Sequence, residues 1–160
     1  MIYLKYLKYV LVHKFWVAVH AIKAGMWRVA FFHDLSKFSR EEFAPYARWF
    51  NHPRGIKALM PDQKLKADFD DAWQHHKFHN PHHWDHWVTT DGQGGETIKK
   101  MPLVYIKEML VDWAAMASSR GNPPWKYYEE NRHKMKMTDE TRRNVEEILR
   151  SQYGWEKSSN

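Results

Sequence analysis

A chain of 160 residues with 43% hydrophobic residues and nine tryptophans is long enough to bury one core and too apolar to be disordered. Its formal charge of +6 favours anionic partners such as nucleotides, nucleic acid or acidic lipid. Cysteine is absent, which excludes disulfides and thiolate metal sites and agrees with a cytoplasmic setting.

The first 24 residues are apolar and basic. Lys5, Lys8, His13, Lys14, His20 and Lys23 interrupt them too often for a secretory core or a membrane span, so no membrane partner is expected. Helical spacing puts Tyr6, Val10, His13, Val17 and Ala24 on one face of a helix over 2–24 that Gly25 ends. A second helix is predicted from Trp27 to Lys37. Ser39-Arg40-Glu41-Glu42 has the form of a capping box and starts a third helix through Phe43, Tyr46, Ala47 and Phe50. Residues 51–61, with Pro53, Gly55 and Pro61, read as a loop.

A fourth helix runs from Asp62 to Phe78 and stops ahead of Asn80-Pro81. His82 to Val88 forms a short turn, and Thr89 to Glu96, with three glycines, is a flexible loop. Pro102 opens a fifth helix that continues to Arg120 and ends at Gly121. A short aromatic helix follows Pro124, and Thr138 caps a last helix from Asp139 to Tyr153. No stretch alternates in the manner of a strand. The expectation is an all-α bundle of five to seven helices in one domain over 1–160, with a helical core at 2–120 and a C-terminal helical extension at 124–153.

Six of the eleven histidines fall between His75 and His86, a local excess best explained by metal binding. A polar side chain on an apolar helix face needs a partner or a metal, which singles out several positions. His13 sits among Tyr9, Val10, Trp16 and Val17, and His20 lies on nearly the same face, so either can be the first ligand. His33 and Asp34 end an apolar run, with Lys37 one turn later. Asp112 shares its face with Met109, Ala115 and Met116; an arginine partner or a tryptophan hydrogen bond would also account for it. In the fourth helix His76 aligns with Phe69, Ala72 and Trp73 and faces inward, whereas His75 aligns with Asp68 and Asp71 and faces outward or supports a ligand from behind. Beyond Asn80-Pro81, His82 and His83 return to the same region. His79 and His86 read more simply as part of a solvated aromatic surface.

The ordered set His13, His33-Asp34, His76, His82-His83 and Asp112 resembles the pattern of the HD superfamily of metal-dependent phosphohydrolases. More closely, His33-Asp34-Leu35-Ser36-Lys37-Phe38-Ser39, Glu42-Phe43, His75-His76 and Asn80-Pro81-His82-His83-Trp84 resemble a family of HD-like proteins of phages and bacteria with no assigned activity. The likeness runs from His13 to about Ala117. It implies an all-α fold and a divalent transition metal (Mn, Fe, Co, Ni or Zn) held by His13, His33, Asp34 and Asp112. His76, His82 and His83 are then candidates for a second ion or a phosphate contact, although the five residues between His76 and His82 are fewer than two-metal members use.

The implied activity is hydrolysis of a nucleotide or related phosphate ester, with a metal-activated water as nucleophile. Lys37 would neutralise phosphoryl charge and His76 would protonate the leaving oxygen. His75, Asn80 and Trp84 would support the ligands or touch substrate. A phage-encoded copy would act in the host cytoplasm. Two alternatives stand beside this reading. One is a nucleic-acid-binding protein with a structural metal, using Arg132, Lys134, Lys136, Arg142 and Arg143. The other is a di-iron oxygenase on the same fold. The tryptophans leave room for a homo-oligomeric interface.

Overall fold

The computed structural model describes residues 1–51 and 62–156; the loop expected over 51–61 lies, after Asn51, outside the described residues. Seven α-helices occur among them: α1 (Ile2–Lys23), α2 (Trp27–Phe32), α3 (Arg40–Phe50), α4 (Gln63–His79), α5 (Leu103–Ser118), α6 (Lys126–Asn131) and α7 (Asp139–Tyr153). Short 3-10 turns cover Leu35–Phe38 and Trp84–Trp87. The fold is all-α apart from one antiparallel hairpin, β1 (Val88–Thr90) with β2 (Glu96–Ile98).

Local chemistry explains most boundaries. Gly25, at φ 71°, lets the chain reverse after α1 at no steric cost. The Asp62 side chain accepts from the Leu65 amide and caps α4; Thr138 does the same for α7 through the Thr141 amide, and Gly154 closes that helix in the left-handed region. The buried face of α1 carries Tyr6, Val10, His13, Val17 and Ala21, with Ala21 in the place assigned to Ala24, which is exposed.

Four expectations need correction. The second helix ends at Phe32 rather than Lys37, because Asp34 adopts a left-handed conformation (φ 53°). No capping box forms at Ser39: its side chain makes no cap bond, and Glu42 turns into the interior instead. The loop expected over 89–96 is in part a hairpin, with Thr89 opposite Thr97, too short to show alternation; Asp91 accepts from the Gln93 and Gly95 amides and stabilises its turn. α5 stops at Ser118 rather than Arg120.

α1 lies along three other helices, and its buried residues divide between two apolar clusters. Tyr6 and Val10 pack with Tyr46, Ala47 and Ala72 of α3 and α4. Val17 and Ala21 pack with Ala30, Val111 and Ala115 of α2 and α5. His13 falls between the two, so the helix delivers one polar group into the seam. A third cluster joins Ile106 and Leu110 of α5 to Tyr128, Val145, Leu149 and Trp155, which makes the C-terminal helices part of the α5 core rather than an appendage. Arg142 donates to the Arg132 and Met135 carbonyls there, and Lys136 pairs with Glu96. Among the described residues no helix is long and apolar enough to cross a membrane.

Candidate metal centre

The break at His33-Asp34 builds the centre. His33 leaves α2 in an extended conformation and Asp34 is left-handed, so their side chains do not take adjacent helical directions. The Lys14 ammonium donates to the His33 carbonyl at 2.8 Å, which satisfies a backbone group freed by the break. Both side chains end fully buried, beside His13 from α1 and Asp112 from α5.

Two groups of ligand atoms meet at Asp34. His13 Nε2 lies 3.0 Å from Asp112 Oδ1, and His33 Nε2 lies 3.6 Å from the same oxygen. Asp34 Oδ2 closes that group at 3.3 Å from His33 Nε2 and 3.9 Å from His13 Nε2. Asp34 Oδ1 faces the other way, 3.4 Å from His82 Nε2 and 3.6 Å from His76 Nε2, and His76 Nε2 is 2.9 Å from His83 Nε2. Donors held about 2.0–2.2 Å from a common ion stand roughly 3 Å apart, which is the spacing seen in both groups.

The unpartnered atoms make the same point more sharply. His13 Nδ1 and Nε2, His33 Nε2, Asp34 Oδ1 and His82 Nε2 are buried without a hydrogen-bond partner. Such buried orphans carry a heavy penalty, and four of these five atoms point into the two groups, where a bound metal would remove it. Asp34 with His76, His82 and His83, and His13 with His33 and Asp112, are thus two groups able to hold a metal ion.

The far sides of the imidazoles are fixed by carboxylates that sequence reasoning missed. His33 Nδ1 donates to Glu108 Oε1 at 3.0 Å, and the same oxygen lies 3.4 Å from His82 Nδ1. His76 Nδ1 donates to Glu42 Oε2 at 2.7 Å, and His75 Nδ1 donates to Glu42 Oε1 at 2.8 Å. These bonds set the tautomers, leaving Nε2 of His33 and His76 as lone pairs for an ion. Asn80 donates to the His76 carbonyl and to Ser36 Oγ, locking the end of α4. Glu108 could have been found from its position four residues before Asp112, on the same helix face. Glu42 was hidden by its apparent role in a capping box.

The other candidates sort cleanly. His76 is buried and His75 half-buried, as their spacing predicts. His20 is bonded to Ser118 Oγ, so His13 is the first ligand candidate. His86 is bonded to the Lys77 carbonyl and His79 is exposed. Lys37 Nζ contacts Asp34 Oδ2 at 2.6 Å rather than standing free.

Charge follows this geometry. Burial would raise the Asp34 carboxyl, but His33 and Lys37 outweigh it and hold it well below the usual range. Asp112 is likewise held down, against burial, by the neighbouring imidazoles of His13 and His33. Glu108 is lowered to about 2, its bonds with His33 and His82 overcoming burial. Burial lowers His33, yet Asp34, Asp112 and Glu108 together raise it well above its ordinary value. His83 is pushed well below by burial and by the imidazoles of His82 and His76.

A raised His33 is protonated at neutral pH in the metal-free protein, and a ligand must be neutral. Metal loading at pH 7 should therefore release about one proton from this side chain. Calorimetric titrations in two buffers of different ionisation enthalpy should give different apparent binding enthalpies. Equal enthalpies would contradict the proton count.

Above the centre lies a cavity of about 590 Å³. His13, Lys37, His76, His83 and Asp112 line it, together with aromatic walls from Tyr46, Phe69, Trp73, Trp84, Trp113 and Tyr127. Arg120 and Lys126 add positive charge to the lining, and Asp85 and Glu130 add negative charge. Trp87, by contrast, donates to the Pro81 carbonyl and packs on Tyr105. The family model described as "Family of unknown function (DUF5662)" matches residues 3–151. No curated protein and no solved structure matches the chain.

Proposed function

We propose that the chain, which belongs to the DUF5662 family, is a metal-dependent phosphohydrolase acting on a nucleotide or a related phosphate ester, like the HD superfamily that its motifs resemble. The observation that carries this reading is the convergence of buried, unpartnered imidazole and carboxylate atoms next to an aromatic cavity that His13, Lys37, His76, His83 and Asp112 line. Mixed nitrogen and oxygen donors suit Mn, Fe, Co, Ni or Zn. Such an ion, held by His13, His33, Asp34 and Asp112 or by Asp34, His76, His82 and His83, supplies Lewis acidity to a phosphoryl oxygen and to the attacking water.

The chain's own groups supply the rest. Lys37 commits one proton to Asp34 and keeps two for phosphoryl oxygens, and the charges of Asp34 and Asp112 hold it cationic against its burial. Its place on the cavity wall puts that charge beside the ligand groups. His76 acts as a ligand rather than as the acid for the leaving oxygen, because its Nδ1 proton is committed to Glu42 and its Nε2 faces Asp34 and His83. Trp84 and Trp113 offer faces on which a base can stack, and the cavity is large enough for a nucleotide.

The test begins with metal analysis of the purified protein, followed by a screen of nucleoside mono-, di- and triphosphates and cyclic dinucleotides with Mn. Phosphate release that a chelator abolishes and Mn restores is the expected result. A protein that takes up no metal, or that takes it up and releases phosphate from none of them, would sink the reading.

His75 and His76 offer an internal comparison. His75→Ala removes a group that only steadies Glu42, and should cost about ten- to a hundredfold in activity. His76→Ala removes a ligand and should cost more. The reverse order in steady-state assays would show that the wrong imidazole has been placed at the centre.

One observation favours a second reading. The two oxygens of Asp34 face two nitrogen-rich groups, an arrangement that also suits a pair of irons engaged in oxygen chemistry. Iron content and oxygen consumption distinguish it from a hydrolase. Of the five basic residues in the nucleic-acid reading, Arg142 bonds backbone carbonyls within the fold and Lys136 pairs with Glu96 at the surface.

A further inference from the structure

We propose that the outer face of α1 and α2 docks on an anionic lipid surface. This inference does not depend on the reaction at the centre. α1 carries apolar side chains on two separate faces: Tyr6, Val10, Val17 and Ala21 are buried, while Leu4, Leu11, Phe15 and Ile22 stand in solvent. At 100° per residue those four exposed side chains fall within a wedge of about 40°, well away from the buried stripe. A surface helix ordinarily carries one apolar stripe, toward the core, with polar residues opposite. Here Leu4 is 71% exposed and Phe15 60%.

α2 packs beside α1, with Lys14 reaching the Phe31 and His33 carbonyls. It adds Trp27, Phe31 and Phe32, each more than half exposed. An uncovered apolar surface spread over two neighbouring helices marks a place of contact.

Charge identifies what it contacts. The first 33 residues contain no Asp or Glu, and Lys5, Lys8, Lys14, Lys23 and Arg28 supply five of the chain's six net positive charges. A second copy docking through the same face would set lysine against lysine, with no carboxylate on either side. Lipid phosphates provide the missing anions, and the acyl region accepts the apolar wedge. Trp27, exposed on α2, has the amphipathic ring that settles at a membrane–water boundary. No described helix can span a bilayer, so α1 lies on the surface rather than crossing it. His13 projects from the opposite side of α1, which leaves the metal centre clear of the docked face.

The test is sedimentation of the full chain with vesicles of phosphatidylcholine alone and of phosphatidylcholine mixed with phosphatidylglycerol, at low and high salt. Binding to the anionic vesicles at low salt should exceed binding to the neutral ones by about tenfold or more and should weaken with salt. The double variant Phe15→Glu, Phe31→Glu should lower it by about tenfold or more with unchanged helical circular dichroism, since both side chains are already in solvent. Three results overturn the proposal: no sedimentation with either vesicle, sedimentation that the double variant leaves intact, or a lipid-free dimer that the double variant converts to monomer. The last would assign the face to a second copy of the chain.

Discussion

Asp34→Asn is expected to remove hydrolytic activity by about a thousandfold or more and to weaken metal uptake in both ligand groups at once. Its two oxygens divide between the groups: Oδ2 faces His13 and His33, and Oδ1 faces His76 and His82. Asparagine is the informative replacement because it tolerates the left-handed conformation that Asp34 adopts, so the backbone break is preserved. The loss of charge has a separate cost. Lys37 would keep a buried ammonium without its nearest carboxylate, a change worth about 3–5 kcal/mol when one partner of a buried pair is removed. Circular dichroism and thermal melts should register that loss, and Asp34→Asn combined with Lys37→Met should recover the fold without recovering activity. Asp34→Asn with wild-type metal content and wild-type phosphate release would refute the shared role of this carboxylate.

The difference between what sequence and structure disclose lies in how each residue is positioned. His13, His76 and Asp112 were legible because each is a polar group on an otherwise apolar helix face, and periodicity alone reports that anomaly. The helices were legible for the same reason, with Thr138 and Gly25 marking ends by turn and cap chemistry that acts within a few residues. Glu42 was not legible. Its sequence neighbours offered a complete local explanation, and only the fold shows that its carboxylate is held by His75 and His76, more than thirty positions away. The left-handed turn at Asp34 was equally hidden, since an apolar run into Asp-Leu-Ser-Lys continues a helical pattern without a glycine or proline to stop it. A tertiary demand, the need to aim two adjacent side chains at one point, overrides local propensity there. The sharing of Asp34 between two groups follows from that turn, and it is the reason His82 and His83 join the centre despite their closeness in sequence to His76.

Asp112→Ala and His83→Ala should separate the two groups. Each residue belongs to one group only, Asp112 with His13 and His33, and His83 with Asp34, His76 and His82. If each group holds one ion, elemental analysis of either single variant should find about one ion fewer per chain than the wild type, and the double variant should retain almost none. Asp112→Ala should abolish metal-dependent hydrolysis and still give a folded helical protein, for two physical reasons. The side chain borders the cavity, so its removal enlarges an existing space rather than opening a sealed void in the core. Its partners are imidazoles, which can stand neutral as a lysine ammonium cannot at pH 7, so no fixed charge is stranded as Lys37 is by Asp34→Asn. The expected cost in stability of the metal-free protein is accordingly about 1–2 kcal/mol, smaller than for Asp34→Asn. Full activity in Asp112→Ala, or an unchanged metal count in both single variants, would show that these atoms converge without holding the ion that hydrolysis requires.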